Sequence, residues 1–94
     1  MNLNETDTYT RYIVNYAKYA NGDKVAGKRC EVLAECLNEY DRAEVRRITE
    51  TAAPENIKLN RLLLNLHKRD ITRANRVMLE IARAGLSHSI IEIR

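Results

Sequence analysis

The stretch Thr51-Ala52-Ala53-Pro54 divides the chain into two helical halves. The residue before a proline disfavours helix, whereas proline itself suits the first turn of a following helix. Pro54 is the only proline of the 94 residues, so we expect the main corner of the fold here. Helical periodicity on both sides of the corner predicts an all-α fold, with three helices built on a long antiparallel helical hairpin and a short C-terminal tail. A chain of this length buries one core, so residues 1–94 are expected to form a single domain.

Downstream of the corner, the pattern predicts one long helix from about Glu55 to Ala84, which Gly85 closes. Its apolar residues recur broadly on one side, and they are Leu59, Leu63, Leu66, Ile71, Ala74, Val77, Met78 and Ile81. The continuous run Leu62 to Leu64 covers more of the helix surface than one neighbouring helix can bury. We therefore expect a homo-oligomer with a subunit contact at this run.

Upstream of the corner, apolar spacing predicts a first helix that Asn21-Gly22 ends, with Thr6 or Asn4 as its N-cap. Its apolar stripe holds Tyr9, Tyr12, Ile13, Tyr16, Ala17 and Ala20, and of its four tyrosines only Tyr19 points elsewhere. Asp23 is placed to cap a second helix from about Lys24.

The second helix is predicted to kink before it reaches the corner. Its inward residues repeat at alternating spacings of four and three, and they are Ala26, Cys30, Leu33, Leu37 and Tyr40. The pattern then loses phase, and Asp41 to Glu44 has the spacing of a capping box, so we expect the kink near Asp41. Cys30 and Cys36 point to different faces of this helix, which excludes a disulfide between them and favours both as small core residues.

Several classes of function have no support in the sequence. His67 and His88 match no zinc spacing with the cysteines, so we expect neither a metal nor another cofactor. No phosphate loop, nucleophile elbow or paired-carboxylate motif occurs, and we expect no enzyme and no small-molecule substrate. Without a leader, an apolar span or a lipidation motif, the expected location is cytoplasmic, with no membrane contact.

Charge is distributed unevenly along the chain. From Asn56 onward there are eight basic and three acidic residues, whereas residues 1–55 hold eight basic and ten acidic ones. A helical wheel over residues 56–84 gathers Lys58, Asn65, Arg69, Arg76 and Arg83 into a narrow arc, flanked by Arg61, Thr72 and Arg73. We call this arc and its flanks the basic ridge.

The basic ridge predicts a small, non-catalytic interaction protein that binds an anionic partner. Arginine suits phosphate, which slightly favours nucleic acid. The expected binding residues are Lys58, Arg61, Arg69, Arg73, Arg76, Arg83 and His88. One alternative is an acidic protein surface, as for the inhibitors and adaptors that phages and plasmids often carry. Another is that the ridge forms ion pairs with the acidic stripe of Glu31, Glu35 and Glu39, within or between subunits.

The stretch from Ala82 to Ile91, read Ala-Arg-Ala-Gly-Leu-Ser-His-Ser-Ile-Ile, resembles the turn and early recognition helix of repressor-type helix-turn-helix domains. There a glycine makes the turn, a small apolar residue follows, and Ser-x-Ser leads into the recognition helix. In this chain Ile81 occupies a position at which that pattern usually has a small residue. The resemblance implies a DNA-binding regulator in which His88, Ser89 and Glu92 face bases, while Arg76 and Arg83 hold phosphates. The spacing of Ile90, Ile91 and Ile93 leaves both a short helix and a short strand open for residues 86–94.

Overall fold

Five helices make up the part of the chain that the structure, a computed structural model, describes, which is residues 7–86. They are α1 Thr8–Ala20, α2 Lys24–Glu35, α3 Glu39–Thr49, α4 Glu55–Arg69 and α5 Ile71–Arg83. The described residues contain no strand, so the all-α prediction is confirmed. The predicted three-helix arrangement is wrong, because each of the two long helices expected around Pro54 is divided in two.

The first division separates α2 from α3 and is made by Asn38. Its side chain accepts a hydrogen bond from the backbone N–H of Asp41 at 2.8 Å, and its amide donates to the Asp41 carboxylate at 3.1 Å. Asn38 is therefore the N-cap of α3, and Asp41 already lies in the first turn. The helix is interrupted near Asp41, as predicted, but the interruption lies before that residue, between Glu35 and Glu39.

The second division is a single residue, Asp70, between α4 and α5. Its backbone is extended, with φ −152° and ψ 88°, and its carboxylate accepts a hydrogen bond from the backbone N–H of Arg73 at 3.1 Å. Asp70 is thus the N-cap of α5. Because an extended residue interrupts the helical phase, the wheel drawn over residues 56–84 does not hold across it.

The predicted turn residues lie at the ends of helices. Gly22 has a φ of +102° after α1, and the Asp23 carboxylate accepts a hydrogen bond from the backbone N–H of Ala26 at 3.1 Å to cap α2. Pro54 is the N-cap of α4, and Gly85, with a φ of +76°, follows α5. At the start of α1 the cap is Asp7, which accepts from the backbone of Thr10; the predicted caps Thr6 and Asn4 lie outside the described residues.

Helix α1 lies at the centre of the fold, packed against α2, α4 and α5. Its contact with α2 is very close at Gly27, where an added Cβ would lie 2.7 Å from Cδ1 of Tyr19. Most of the predicted apolar positions are buried in one core, among them Tyr9, Tyr12 and Tyr16 of α1 and Leu59, Leu63, Leu66, Val77 and Ile81 of α4 and α5.

Three apolar predictions need correction. Leu62 and Leu63 are fully buried within the chain itself, so only Leu64 of the predicted subunit contact is exposed. Ile71, the first residue of α5, is exposed and lies at the edge of the side that buries Ala74, Val77 and Ile81. Cys30 is buried as expected, but Cys36, at the end of α2, is exposed rather than in the core, and both thiols are free.

Candidate interface for an anionic partner

Arg69 contacts two buried carboxylates of α3. Its Nη2 atom lies 3.0 Å from Oδ1 of Asp41 and 2.7 Å from Oε2 of Glu44. The guanidinium also lies over the rings of Tyr9 and Tyr40, with its carbon 5.6 and 4.8 Å from their centroids. The side chain is only 25% exposed, so its charge is directed into the fold and not toward a partner.

Arg73 reaches the same carboxylate from α5. Its Nη1 lies 3.6 Å from Oδ2 of Asp41, and its Nε lies 3.8 Å from Asp7 and 4.0 Å from Asp70. We call Asp41, Glu44, Arg69 and Arg73 the arginine–carboxylate cluster. Through Asp7, the N-cap of α1, the cluster joins all the helices except α2.

The electrostatics of this cluster favour its charged form. Burial lowers the pKa of Arg69, but the charges of Glu44 and Asp41 outweigh that effect and raise it overall. The Tyr9 hydroxyl donates to Oε2 of Glu44 at 3.2 Å, and burial together with that carboxylate raises the pKa of Tyr9. The cluster is thus a structural element of the fold, in which the Arg69 Nη2 atom is paired, while its buried Nε has no hydrogen-bond partner among the described residues.

The sequence offered ion pairing of ridge residues as an alternative to partner binding. Such pairs are found, but with other carboxylates, for Lys58, Arg69, Arg73 and Arg83. The expected acidic stripe was Glu31, Glu35 and Glu39, and within residues 7–86 none of the three forms an ion pair. The sequence analysis missed Asp41 and Glu44 as partners, because it assigned both to a capping box. Their spacing of three places them on one face of α3, which was the available signal.

Lys58 is also held within the fold. Its Nζ lies 3.6 Å from Oε1 of Glu55, and its side chain is 12% exposed. The same Glu55 accepts a hydrogen bond from the Tyr16 hydroxyl, and burial followed by this bond raises the pKa of Tyr16. The ion pair of Lys58 with Glu55 therefore lies in the first turn of α4, directly after Pro54.

The remaining predicted cations of α4 and α5 point to solvent. Arg61 and Arg76 are exposed, and Arg83 is exposed with an ion pair to Glu80 at 3.0 Å. Lys68, which the predicted set omitted, lies two helical turns after Arg61 and therefore on the same side of α4. His88 lies outside the described residues, as does most of the segment that resembles a helix-turn-helix, so both stay predictions.

The exposed residues of these two helices form one chemically biased set, which we call the α4–α5 outer face. Its eleven members are Asn56, Arg61, Leu64, Lys68, Ile71, Thr72, Asn75, Arg76, Leu79, Ala82 and Arg83. Four of them are cations, whereas Glu55, Asp70 and Glu80, the carboxylates of the same segment, are partly buried residues that each lie within 4.0 Å of a cation. Arg61, Lys68 and Arg76 have no ion-pair partner within the described part of the chain.

A groove of about 850 Å³ lies elsewhere, bordered by α1, α2 and α3. Tyr12, Tyr16 and Tyr19 contribute aromatic surface to it. Its rim carries cations and carboxylates together, namely Lys24, Lys28, Arg42, Arg46, Glu31, Glu35 and Glu50. Because the rim carries both charges, the groove favours neither an anionic nor a cationic ligand, whereas the cations of the α4–α5 outer face favour an anion.

Among residues 7–86, no group of three His, Cys, Asp or Glu side chains is arranged to hold a metal ion. The five described helices include none that is both long and apolar enough to cross a membrane. No protein-family model, curated protein or solved structure matches the chain.

Proposed function

We propose that this chain is a non-catalytic interaction protein that binds nucleic acid through the α4–α5 outer face. The proposal rests on the charge of that face, which exposes four cations, whereas the nearby carboxylates of Glu55, Asp70 and Glu80 are only partly exposed and each lies within 4.0 Å of a cation. A phosphate backbone is the most uniform polyanion such a surface can meet, and cations that neutralise phosphates release bound counterions. The exposed faces of α2 and α3 also hold cations, but these are interspersed with Glu31, Glu35 and Glu39.

The proposal assigns different roles to the predicted binding residues. Arg61, Lys68, Arg76 and Arg83 contact phosphates, whereas Arg69 and Arg73 hold the scaffold, because their guanidinium groups already face carboxylates. Four phosphate contacts predict that the logarithm of the binding constant falls with the logarithm of salt concentration with a slope of about −3. No base-reading side chain is implied, so the expected binding has little sequence preference.

Fluorescence anisotropy of labelled duplex DNA and RNA, at several salt concentrations, tests the proposal. The variant Arg61→Gln/Lys68→Gln/Arg76→Gln/Arg83→Gln should lose most of the binding and most of the salt dependence. The matched control is Arg11→Gln/Lys24→Gln/Arg46→Gln/Arg47→Gln, which removes the same kinds of residue from other helices, including one exposed ion pair, Arg46–Glu50. Equal loss in both variants would rule out the α4–α5 outer face as the binding site, and no binding of the wild type at low salt would rule out the nucleic-acid function.

A specific observation favours a second candidate, which is an acidic protein partner. Leu64, Ile71 and Leu79 are exposed among the cations of the same face. Apolar side chains inside a charged rim are typical of protein interfaces, where the apolar centre contributes most of the affinity. The variant Leu64→Ser/Ile71→Ser/Leu79→Ser separates the candidates: nucleic-acid binding should survive it, whereas binding of a protein partner should be lost.

A further inference from the structure

Helix α2 is packed on one side only. Ala26 and Cys30 are its buried residues, and beside them Gly27 meets the ring of Tyr19 of α1. On the side turned away from them Val25 and Val32 are 59% and 65% exposed, and Arg29 and Cys36 are exposed with them. Successive spacings of four, three and four place these residues within about 60° of arc. We call Val25, Arg29, Val32 and Cys36 the α2 outer stripe.

Charge is segregated along the same helix. Lys24, Lys28 and Arg29 lie in its first half, whereas Glu31 and Glu35 lie in its second half. Lys28 and Glu35 flank the α2 outer stripe on one side, two turns apart. A second helix of the same sequence therefore complements these charges only if it runs in the opposite direction.

We propose that a second copy of this chain covers the α2 outer stripe, with the two α2 helices antiparallel about a two-fold axis. In the spacing of a coiled coil, antiparallel layers place Val25 against the partner's Cys36 and Arg29 against the partner's Val32. Lys28 then lies beside the partner's Glu35 on each side of the axis. A parallel pair would instead bring the two basic halves together and the two acidic halves together, which is unfavourable.

The small size of the contact determines how strongly the two copies associate. Helix α2 has 12 residues and is about 18 Å long, and its stripe has two valines, one thiol and the aliphatic stem of an arginine. Such a contact is smaller than a standard protein interface, so we expect weak association that depends on protein concentration. The stripe shares no residue with the α4–α5 outer face, so this proposal does not depend on the proposed function.

Cysteine cross-linking tests the register directly. In the antiparallel pair, Val25→Cys would lie against the native Cys36 of the partner subunit, and mild oxidation should give a covalent dimer. The wild type and the variant Val25→Cys/Cys36→Ser are matched controls, because two identical positions are about 16 Å apart along the antiparallel axis and should cross-link slowly. Equal rates in all three proteins, or fastest cross-linking of the wild type through Cys36 alone, would overturn the proposal.

Charge reversal gives an independent readout by sedimentation. Lys28→Glu and Glu35→Lys should each weaken dimerisation about tenfold, since each change occurs twice across the two-fold axis and replaces attraction with repulsion. The double variant Lys28→Glu/Glu35→Lys should restore the dimer to within about threefold of the wild type. A wild type that remains monomeric at millimolar concentration, or a double variant no better than the single ones, would overturn the proposal.

Discussion

Arg69 of α4 joins α3 through two buried carboxylates. Its guanidinium neutralises Asp41 and Glu44, which are 4% and 8% exposed, and it fills the space between two tyrosine rings. A buried ion pair is weak support for stability when compared with an apolar replacement of both partners, but removal of one partner leaves an uncompensated buried charge. Loss of Arg69 therefore destabilises the fold through the carboxylates that remain.

We predict that Arg69→Met lowers the free energy of unfolding by about 3 kcal/mol, because it leaves the carboxylates of Asp41 and Glu44 without their shared cation. Arg69→Lys should lie between wild type and Arg69→Met, since it keeps the charge but not the fork of donors. Urea denaturation followed by helical circular dichroism measures the effect. The control Arg61→Met, at an exposed position, should change stability by less than about 0.5 kcal/mol, and a similar loss in both methionine variants would contradict the prediction.

The close contact between helices α1 and α2 depends on the absence of a side chain at Gly27. A glycine inside a helix normally costs about 1 kcal/mol relative to alanine. Here replacement of Gly27 by alanine has a steric cost, because an added Cβ would lie 2.7 Å from Cδ1 of Tyr19 and 3.0 Å from Cε1. The glycine thus permits close approach of the two helices at the expense of local helix propensity.

We predict that Gly27→Ala destabilises the protein, or at best leaves it unchanged, as the Tyr19 ring and α2 move apart. In a Tyr19→Ala background the same substitution should stabilise by about 0.5 to 1 kcal/mol, since only the helix propensity remains. A double-mutant cycle on unfolding free energies isolates this coupling. A gain from Gly27→Ala in the wild-type background would show that the ring moves away without cost.

The ends of the helices show which features the sequence predicted and which it did not. Asn21-Gly22, Pro54 and Gly85 act through local backbone preferences, and the turns they predict are present. Asn38 and Asp70 also act locally, as N-caps, but both lie inside apolar repeats that suggested continuous helices. The partners of Arg69 are 25 and 28 residues distant in sequence, so their identity depended on how α3 packs against α4. For that reason the sequence predicted the cations but not which of them remain exposed.

The core holds four weakly acidic groups, one cysteine thiol and three tyrosine hydroxyls, whose pKa values are raised in the folded chain. Burial raises the pKa of the Cys30 thiol from 9.0 to about 12. Burial is also the largest cause that raises the pKa of the hydroxyls of Tyr9, Tyr12 and Tyr16 above 10.0, and nearby carboxylates add to it. The unfolded chain releases these protons at lower pH than the folded chain does, so alkaline conditions favour unfolding.

We therefore predict that stability is unaffected by these groups below about pH 9 and falls as the pH rises toward 12, by up to about 1.4 kcal/mol per pH unit for each group. Urea denaturation at a series of pH values measures the fall. Cys30→Ala should reduce the slope between pH 9 and 12 without removing the tyrosine contribution. A free energy of unfolding that stays constant from pH 8 to 11 would contradict the prediction.

The arginine–carboxylate cluster has a consequence for how the chain reaches its fold. Its Arg73 contacts Asp41 within the cluster and also Asp7, so three distant parts of the sequence meet there. Local pairs of helices such as α1 with α2 close short loops and form early, whereas contacts between distant segments must first overcome a larger loss of chain entropy. We therefore expect the cluster to form late in folding, so that its loss speeds unfolding more than it slows folding.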